Sequence, residues 1–492
     1  MASFISLLFF AIAIEHLSLS SSQIVLPLTH SLSETEFNHT HNLLKAASVR
    51  STTRFRHHHR HHQNQRQISL PLSPGSDYTL SFSLGSNPTQ TISLYMDTGS
   101  DLVWFPCAPF ECILCEDKYD TTVTADATPP NVSSASRVSC NSPACSAVHS
   151  SLPSSDLCAI ARCPLETIET SDCSSFSCPP FYYAYGDGSL IARLYRDSFS
   201  IPYSSPSLHL PNFTFGCAHT ALAEPIGVAG FGQGILSLPA QLAHVSPQLG
   251  SQFSYCLISH SFDVNRIRRP SPLILGRYQK EKRSGNEGGD GEFLYTPMLD
   301  NPKHPYFYCV GLEAVSVGST RIPASQSLKR VNREGNGGMV VDSGTTFTML
   351  PAGLYKTMVA EFDHRVGQVY ERATVVEDQT GLGPCYYYDD SVDKFPKVPK
   401  LVFHFVGNAS VVLPSRNYFF GLTNGGDGGG KKRKAGCLMV MNGGDDAESG
   451  GPAATLGNYQ QQGFEVVYDL EKRRVGFARK QCASLWQTLN RG

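Results

Sequence analysis

The hydrophobic pattern predicts a chain made mainly of β-strands. Short runs of alternating apolar and polar residues recur along it, most clearly at residues 78–84 and 91–95, and Gly, Asn and Pro separate them. Spacing typical of helices is confined to residues 236–244, 354–366 and 457–463. The pattern therefore favours an all-β fold with few helices.

Two of the apolar runs end on an aspartate that is followed by a hydroxyl residue and a glycine. The two copies are Asp97-Thr98-Gly99-Ser100 and Asp342-Ser343-Gly344-Thr345. Asp and Gly are favoured in ordinary turns, so one copy alone would mean little. Two copies in the same setting predict two half-sites that folding brings together into one paired-carboxylate centre.

Such a pair has a distinctive chemistry. Two like charges a few ångströms apart cannot both ionise cheaply, so the pair shares one proton. One carboxylate can then deprotonate a bound water while the other protonates the substrate carbonyl. The glycines allow close backbone approach, and the hydroxyls of Thr98, Ser100, Ser343 and Thr345 can serve the carboxylates or the opposite loop. The motifs therefore predict hydrolysis without a covalent intermediate, a metal or a cofactor.

Length and composition indicate a globular protein of two or three units. The chain has 492 residues, of which 41% are hydrophobic and 17% charged, and its formal net charge is -2. This near-neutral charge gives no reason to expect binding to nucleic acid or to an anionic membrane. The strand pattern resumes after a polar stretch, which predicts an N-terminal lobe over residues 68–258 and a C-terminal lobe over residues 259–492.

The beginning of the chain differs from the rest. Residues 4–14 form an apolar run of signal-peptide length, which predicts a secretory signal over residues 1–22. Residues 23–67 carry an Arg/His-rich tract, which we interpret as part of a pro-segment rather than a metal site. Later apolar runs are shorter than a membrane-spanning helix. We expect a soluble protein that is secreted to the extracellular space or cell wall, or alternatively delivered to the vacuole.

Fifteen cysteines behind a secretory signal predict a disulfide framework with at least one cysteine unpaired. Nine of them lie in an insertion over residues 107–178. Zinc is the alternative ligand chemistry, but we identify no His at ligand spacing beside them, which favours disulfides. Asn131, Asn212 and Asn408 begin Asn-X-Ser/Thr tripeptides and are candidate glycosylation sites.

The joint pattern over about residues 68–482 resembles the pepsin-like aspartic proteases, and among them the plant nepenthesin and nucellin type. The further matching features are Trp104, the hairpin Tyr185-Gly186-Asp187-Gly188-Ser189, and residues 215–217, 227–232, 253–257 and 456–478. The resemblance implies a bilobal β fold with one catalytic aspartate, Asp97 or Asp342, from each lobe. It also implies that Tyr185 and Gly186 belong to a flap that closes over the substrate beside Trp104.

The same resemblance implies a set of disulfides. The implied pairs are Cys140 with Cys163, Cys145 with Cys158, Cys217 with Cys482, and Cys385 with Cys437. Cys256 and Cys309 are then left as a further pair or as free thiols.

The function implied by the resemblance is that of a monomeric secreted endopeptidase acting on polypeptides, with its own pro-segment as an intramolecular inhibitor. An acidic optimum is expected, since the paired aspartates of pepsin share one proton and both titrate at acidic pH. The alternative is an inactive binding or inhibitor protein of the plant xylanase-inhibitor type, which shares the scaffold without a complete catalytic set. Both aspartates are present here together with Thr98 and Ser343, which favours an enzyme.

Overall fold

The computed structural model describes most of the chain. The described residues are 24–30, 44–45, 47–52, 78–85, 89–113, 129–169, 172–185, 188–201, 208–222, 226–258, 270–276, 293–389, 396–423, 434–444 and 451–489. The predicted signal at residues 1–22, the Arg/His-rich tract and Gly186 lie outside them. None of the described helices is long and apolar enough to cross a lipid bilayer.

Strands dominate the described residues, as the alternating pattern predicts. They are β1 Ile24–His30, β2 Tyr78–Leu84, β3 Gln90–Asp97, β4 Trp104–Ile113, β5 Ser136–Arg137, β6 Phe181–Ala184, β7 Ser189–Ile201, β8 Leu208–Leu222, β9 Val228–Gly230, β10 Gln252–Cys256, β11 Ser271–Leu275, β12 Leu294–Leu299, β13 Cys309–Val310, β14 Leu312–Val317, β15 Thr320–Pro323, β16 Met339–Val341, β17 Thr348–Leu350, β18 Cys385–Tyr388, β19 Leu401–Phe405, β20 Ala409–Leu413, β21 Phe419–Thr423, β22 Lys434–Leu438, β23 Val440–Asn442, β24 Ala454–Leu456, β25 Phe464–Asp469 and β26 Arg474–Arg479. Nineteen of them join one extended sheet, and the others form a four-stranded and a three-stranded sheet.

Most of the described helices are short. They are Pro143–Val148, Ser154–Ile160, Leu165–Glu169, Leu238–Val245, Pro247–Gly250, Gln326–Lys329, Ala352–Val366, Thr374–Thr380, Asn458–Gln461 and Cys482–Leu489, with one 3-10 turn at Ser415–Asn417. The longest buries Leu354, Met358 and Phe362, which lie one turn apart on one face. The mainly β fold is therefore confirmed, and each of the three predicted helical segments contains a helix.

Strands β2 and β3 illustrate why the alternating runs fold as they do. In β2, Leu80, Phe82 and Leu84 are buried, while the intervening residues are more exposed. Antiparallel pairing with β3 places Leu80 opposite Leu94. One face of this ribbon therefore joins the core, and β3 runs on to deliver Asp97 at its end.

Residues 24–30 and 47–52 contribute structure that the sequence analysis did not predict. Strand β1 pairs antiparallel with β11 through residues 24–28 and with β2 through Thr29 and His30. Residues 47–52 are helical, and Ala47 and Ser51 are fully buried. Residues 24–30 are thus part of the same sheet as β2 and β11.

The disulfide pairing differs from most of what the resemblance implies. The described bridges are Cys107–Cys217, Cys140–Cys158, Cys145–Cys178, Cys163–Cys173, Cys256–Cys482 and Cys385–Cys437. The expected pairs Cys140–Cys163, Cys145–Cys158 and Cys217–Cys482 are therefore wrong, whereas Cys385 does bond to Cys437. Cys112 is also disulfide-bonded, and Cys309 is a buried free thiol.

The local fold explains these corrections. Three short helices double the insertion back on itself, and the backbone N–H of Cys178 bonds to Val138 O at 2.8 Å. This return brings Cys178, not Cys158, to within 5.7 Å of Cys145 between Cα atoms. It also places His149 close to the sulfurs of Cys145 and Cys178, so our statement that no His stands near these cysteines is wrong. Because both sulfurs are bonded to each other, the disulfide interpretation stands.

Candidate active site

Each aspartate lies where an apolar strand ends beside a parallel neighbour. Strand β3 pairs in parallel with β9, which places Asp97 opposite Gly230. Strand β16 pairs in parallel with β24, and Asp342 follows it directly, with its N–H bonded to Leu456 O at 3.1 Å. Both aspartates are 1% exposed. The two halves of the site therefore repeat one local architecture.

The same donors hold the two carboxylates. Asp97 accepts from the N–H of Gly99 at 2.9 Å and from Ser100 Oγ at 2.6 Å. Asp342 accepts from the N–H of Gly344 at 2.8 Å and from Thr345 Oγ1 at 2.5 Å. These bonds fix both carboxyl planes, because each aspartate has one oxygen bound to a backbone amide and the other to a hydroxyl.

Reciprocal hydrogen bonds join the two loops. Thr98 Oγ1 donates to Val341 O at 2.9 Å and accepts from the N–H of Ser343 at 2.8 Å. In return, Ser343 Oγ donates to Met96 O at 3.0 Å and accepts from the N–H of Thr98 at 3.0 Å. All four bonds are buried, so the hydroxyls predicted to serve the opposite loop do so, and the relative position of the aspartates is fixed.

The first loop also touches the second carboxylate directly. A Cβ added to Gly99 would lie 2.7 Å from Asp342 Cγ and Oδ1. Such a distance is too short for any side chain, so glycine is required here by close approach. Asp97, which is bonded to the N–H of Gly99, and Asp342 therefore occupy one centre.

A hairpin formed by β6 and β7 brings aromatic residues to this centre. Trp104 is fully buried, and its Nε1 donates to Tyr185 Oη at 2.6 Å. The rings of Tyr183 and Tyr185 are tilted by 52° to each other, with centroids 5.0 Å apart. Burial raises the pKa of Tyr183 well above its usual value, and the nearby Asp101 and Asp97 raise it further. Tyr183 is thus an aromatic residue of the site that the sequence analysis did not single out.

A buried polar helix, Asn458–Gln461, supports the second loop, a role that the sequence analysis did not assign to these residues. Asn458 Nδ2 donates to Ser343 O at 2.9 Å, and Gln461 Nε2 donates to Asp342 O at 3.1 Å. Tyr255 Oη donates in turn to Gln461 Oε1. The available signal is the run of Asn and Gln between two strongly apolar strands, because amides in such a place must find buried partners.

Helical residues 47–52 contact the residues that flank the two aspartate loops. Ser51 Oγ accepts from the N–H of Phe347, which follows the second loop, at 3.0 Å. The Arg50 guanidinium carbon lies 5.6 Å from the ring centroid of Tyr95, which precedes the first loop. The helix therefore packs against residues that flank both aspartates.

Comparison with known families agrees with this geometry. Residues 78–277 match the model described as xylanase inhibitor N-terminal, and residues 307–479 match the model described as xylanase inhibitor C-terminal. A probable aspartyl protease of Arabidopsis thaliana is 60% identical over 440 residues, which are 86% of this chain and 85% of that protein. The chain belongs to the pepsin-like aspartic protease family.

Two further proteins resemble this chain at lower identity. The aspartic proteinase nepenthesin-1 of Nepenthes gracilis is 28% identical over 95% of this chain and 98% of its own length. The crystal structure of basic 7S globulin from soybean has a TM-score of 0.58 and 17% identity, with 94% of this chain and 99% of that chain covered. At that identity the soybean structure supports the fold alone, which is the bilobal pepsin-like fold.

Proposed function

We propose that this protein is a secreted aspartic endopeptidase that hydrolyses polypeptides at acidic pH. The observation that carries the proposal is the complete, nearly symmetric pair of catalytic loops. Asp97 and Asp342 receive matching donors, and Thr98 and Ser343 lock the loops together. The 60% identity to a probable aspartyl protease supports the same conclusion.

The proposed reaction uses a water molecule between the two carboxyl groups. The ionised aspartate removes a proton from this water as it attacks the scissile carbonyl, and the protonated aspartate donates its proton to the carbonyl oxygen. The aspartate that took the proton from water then gives it to the leaving nitrogen as the C–N bond breaks, and the proton of the collapsing diol returns to the other aspartate, which restores the shared-proton pair. Because the single proton belongs to the pair, no permanent acid or base is assigned to Asp97 or Asp342.

We further propose that residues 23–67 keep the precursor inactive. Strand β1 and helical residues 47–52 are packed into the fold, and Ser51 bonds to the backbone beside the second loop. Removal of this segment would free the flanks of both loops. The protein is expected to act as a monomer and to need no cofactor.

The second candidate is an inactive binding protein of the xylanase-inhibitor type. The two matching domain models carry that description, and it is the reason to keep this alternative. The hydrogen bonds around both aspartates favour the protease, since a binding protein has no need for two buried carboxylates with identical donors.

One assay distinguishes the two. The purified full-length chain is incubated at about pH 4, where a shared-proton pair is active, with a denatured protein substrate in the presence and absence of pepstatin. We expect processing near the end of the pro-segment followed by substrate cleavage that pepstatin abolishes. Absence of cleavage together with inhibition of an added xylanase would establish the alternative.

A second prediction concerns the flap. Tyr185→Phe leaves the fully buried Trp104 N–H without its acceptor, and we expect kcat/KM for a peptide substrate to fall by about tenfold. The matched control is Tyr182→Phe, because Tyr182 lies on the same hairpin but is 64% exposed. Equal kcat/KM values for the two variants would contradict this role of the Trp104–Tyr185 contact.

A further inference from the structure

The backbone carbonyl groups of the two aspartates are held in different ways. Asp97 O accepts from the N–H of Phe231, the residue after β9, at 2.8 Å. Asn458 is the counterpart of Phe231 in the register of the second strand pair, but its N–H donates to the carbonyl three residues beyond Asp342, at 2.7 Å. Asp342 O accepts from a side chain, Gln461 Nε2, at 3.1 Å. The symmetry of the two halves therefore breaks at this bond.

The Gln461 amide that makes this bond is itself held at both ends. Its Nε2 donates one hydrogen to Asp342 O and the other to Leu456 O at 2.8 Å. Its Oε1 accepts from the hydroxyl of Tyr255. A phenol has a single proton, so Tyr255 Oη can only accept from its other neighbour, Tyr468 Oη, at 2.9 Å. All the donors of this chain therefore point towards Asp342.

The chain begins where the two catalytic loops interlock. Tyr468 Oη lies 3.4 Å from Thr98 Oγ1 and 3.3 Å from Val341 O, which are the donor and acceptor of one of the reciprocal bonds. Both distances are longer than the 2.9 Å to Tyr255 Oη, which therefore takes the Tyr468 proton. The chain thus contacts the first loop at one end and holds the backbone of the second aspartate at the other.

Aromatic packing fixes the two tyrosine rings independently of their hydroxyls. Tyr468 stacks on Phe253 with ring centroids 4.6 Å apart, and its ring centroid lies 4.5 Å from that of Tyr308. Tyr255 and Tyr468 belong to the paired antiparallel strands β10 and β25, and both are 0% exposed. A Tyr→Phe substitution keeps these ring contacts, so it tests the hydroxyl alone.

We propose that Tyr468, Tyr255 and Gln461 form one positioning unit that fixes the backbone of the second aspartate, and through it the catalytic carboxyl group. The effect on hydrolysis rests on the proposed protease function. A shared-proton pair works only while both carboxyl groups keep their places around the attacking water, and a shift of about 1 Å can cost a factor of about 10² in rate. Both tyrosines are fully buried and cannot touch the substrate, so the unit acts on kcat rather than on substrate binding.

The first measurement is the kinetics of Tyr255→Phe on a quenched peptide at acidic pH. The variant leaves Gln461 Oε1 buried without its donor, so we expect kcat to fall by about tenfold while KM stays unchanged. The matched control is Tyr418→Phe, because Tyr418 is 2% exposed and its hydroxyl donates to Pro399 O at 2.8 Å. The control should keep the parent kcat even if its Tm falls as much. Equal kcat values for the two variants would overturn the positioning role.

The second measurement tests whether the two tyrosines act through one chain. Tyr468→Phe removes the first donor but leaves the bond from Tyr255 to Gln461, so we expect a smaller loss of kcat, about threefold. The double variant is expected to match Tyr255→Phe within about twofold, since the first bond has no route to Asp342 once the second is gone. A double loss equal to the product of the single losses, or a larger loss for Tyr468→Phe than for Tyr255→Phe, would contradict a single chain.

The third measurement does not depend on activity. Thermal unfolding of Thr98→Val, Tyr468→Phe and the double variant is followed at pH 7, where self-digestion is not expected. With the Thr98 hydroxyl gone, Tyr468 Oη is the donor left beside Val341 O, so the double variant should lose more Tm than the sum of the single losses. Additive losses would refute the contact between the chain and the loops. Coupled losses in a parent protein that hydrolyses nothing would support the chain and refute the proposed protease function instead.

Discussion

Asp97→Asn is expected to lower the rate of peptide hydrolysis by at least about 10²–10⁴-fold, the contribution usual for general acid and base groups. The amide cannot take a proton from water, and the pair loses the shared proton that lets one member act as base. The fold is expected to survive, because the Asn side-chain oxygen can still accept from the N–H of Gly99 or from Ser100. The measurement is initial rate on a quenched peptide at acidic pH.

The control for this variant is Asp172→Asn, which makes the same chemical change at an exposed position. Pepstatin affinity and the Tm are measured for both. A rate for Asp97→Asn within a few-fold of the parent would show that hydrolysis does not proceed through the paired carboxyls. If Asp97→Asn shows no cooperative thermal unfolding, the buried carboxylate is needed for folding. The rate of Asp342→Asn then provides the independent test.

Thr98→Val is expected to destabilise the protein by about 2 to 4 kcal/mol, because it leaves buried polar groups without partners. The N–H of Ser343 loses its acceptor, and Val341 O loses its donor at 2.9 Å. Tyr468 Oη, which already lies 3.3 Å from Val341 O, compensates for part of this loss. Hydrolysis is expected to fall as well, since the relative position of the two aspartates depends on these bonds.

Urea unfolding gives the magnitude, and Thr357→Val is the matched control. Thr357 is exposed, and its hydroxyl bonds only to Gly353 O, one helical turn earlier, at 3.0 Å. The control should unfold within about 0.5 kcal/mol of the parent, as surface substitutions usually do. If Thr98→Val behaved like the control, the reciprocal bonds would not be what holds the two loops together.

The paired-aspartate centre could be predicted from sequence because its geometry is local. An apolar strand that runs into Asp, a hydroxyl residue and Gly already fixes the carboxylate donors, which lie two and three residues away. Only the meeting of the two halves needed an inference, and the duplication of the motif supplied it. The lobe boundaries at residues 68–258 and 259–492 remain predictions.

Elements that depend on distant partners could not be predicted in this way. Strand β1 contains Pro27, and proline lacks the N–H that a central strand donates. It is tolerated because β1 pairs with β11, where Pro27 lies opposite Pro272. The sequence of residues 24–30 does not indicate that this strand pairs with β11, about 245 residues later in the chain.

The prediction of the disulfide pairing failed for a related reason. Spacing does not determine connectivity, and the pairing follows from short helices within the insertion. The helix at Pro143–Val148 has a readable start, since Ser142 caps it and Pro143 opens it. Its length of six residues, however, is below what periodicity can detect. The pairing of Cys145 with Cys178 therefore required the three-dimensional path of the chain.

The free cysteine, Cys309, bears on how long the disulfide pairing of the folded protein lasts. Thiol–disulfide exchange needs an accessible thiolate as the attacking group. Cys309 is fully buried, and burial raises its pKa to about 12. The only free thiol among the described residues is thus kept as an inert, protonated group in acidic and neutral fluids alike. Because a protonated, buried thiol cannot attack a disulfide, Cys309 does not start exchange with the bridges, and the pairing is kinetically protected.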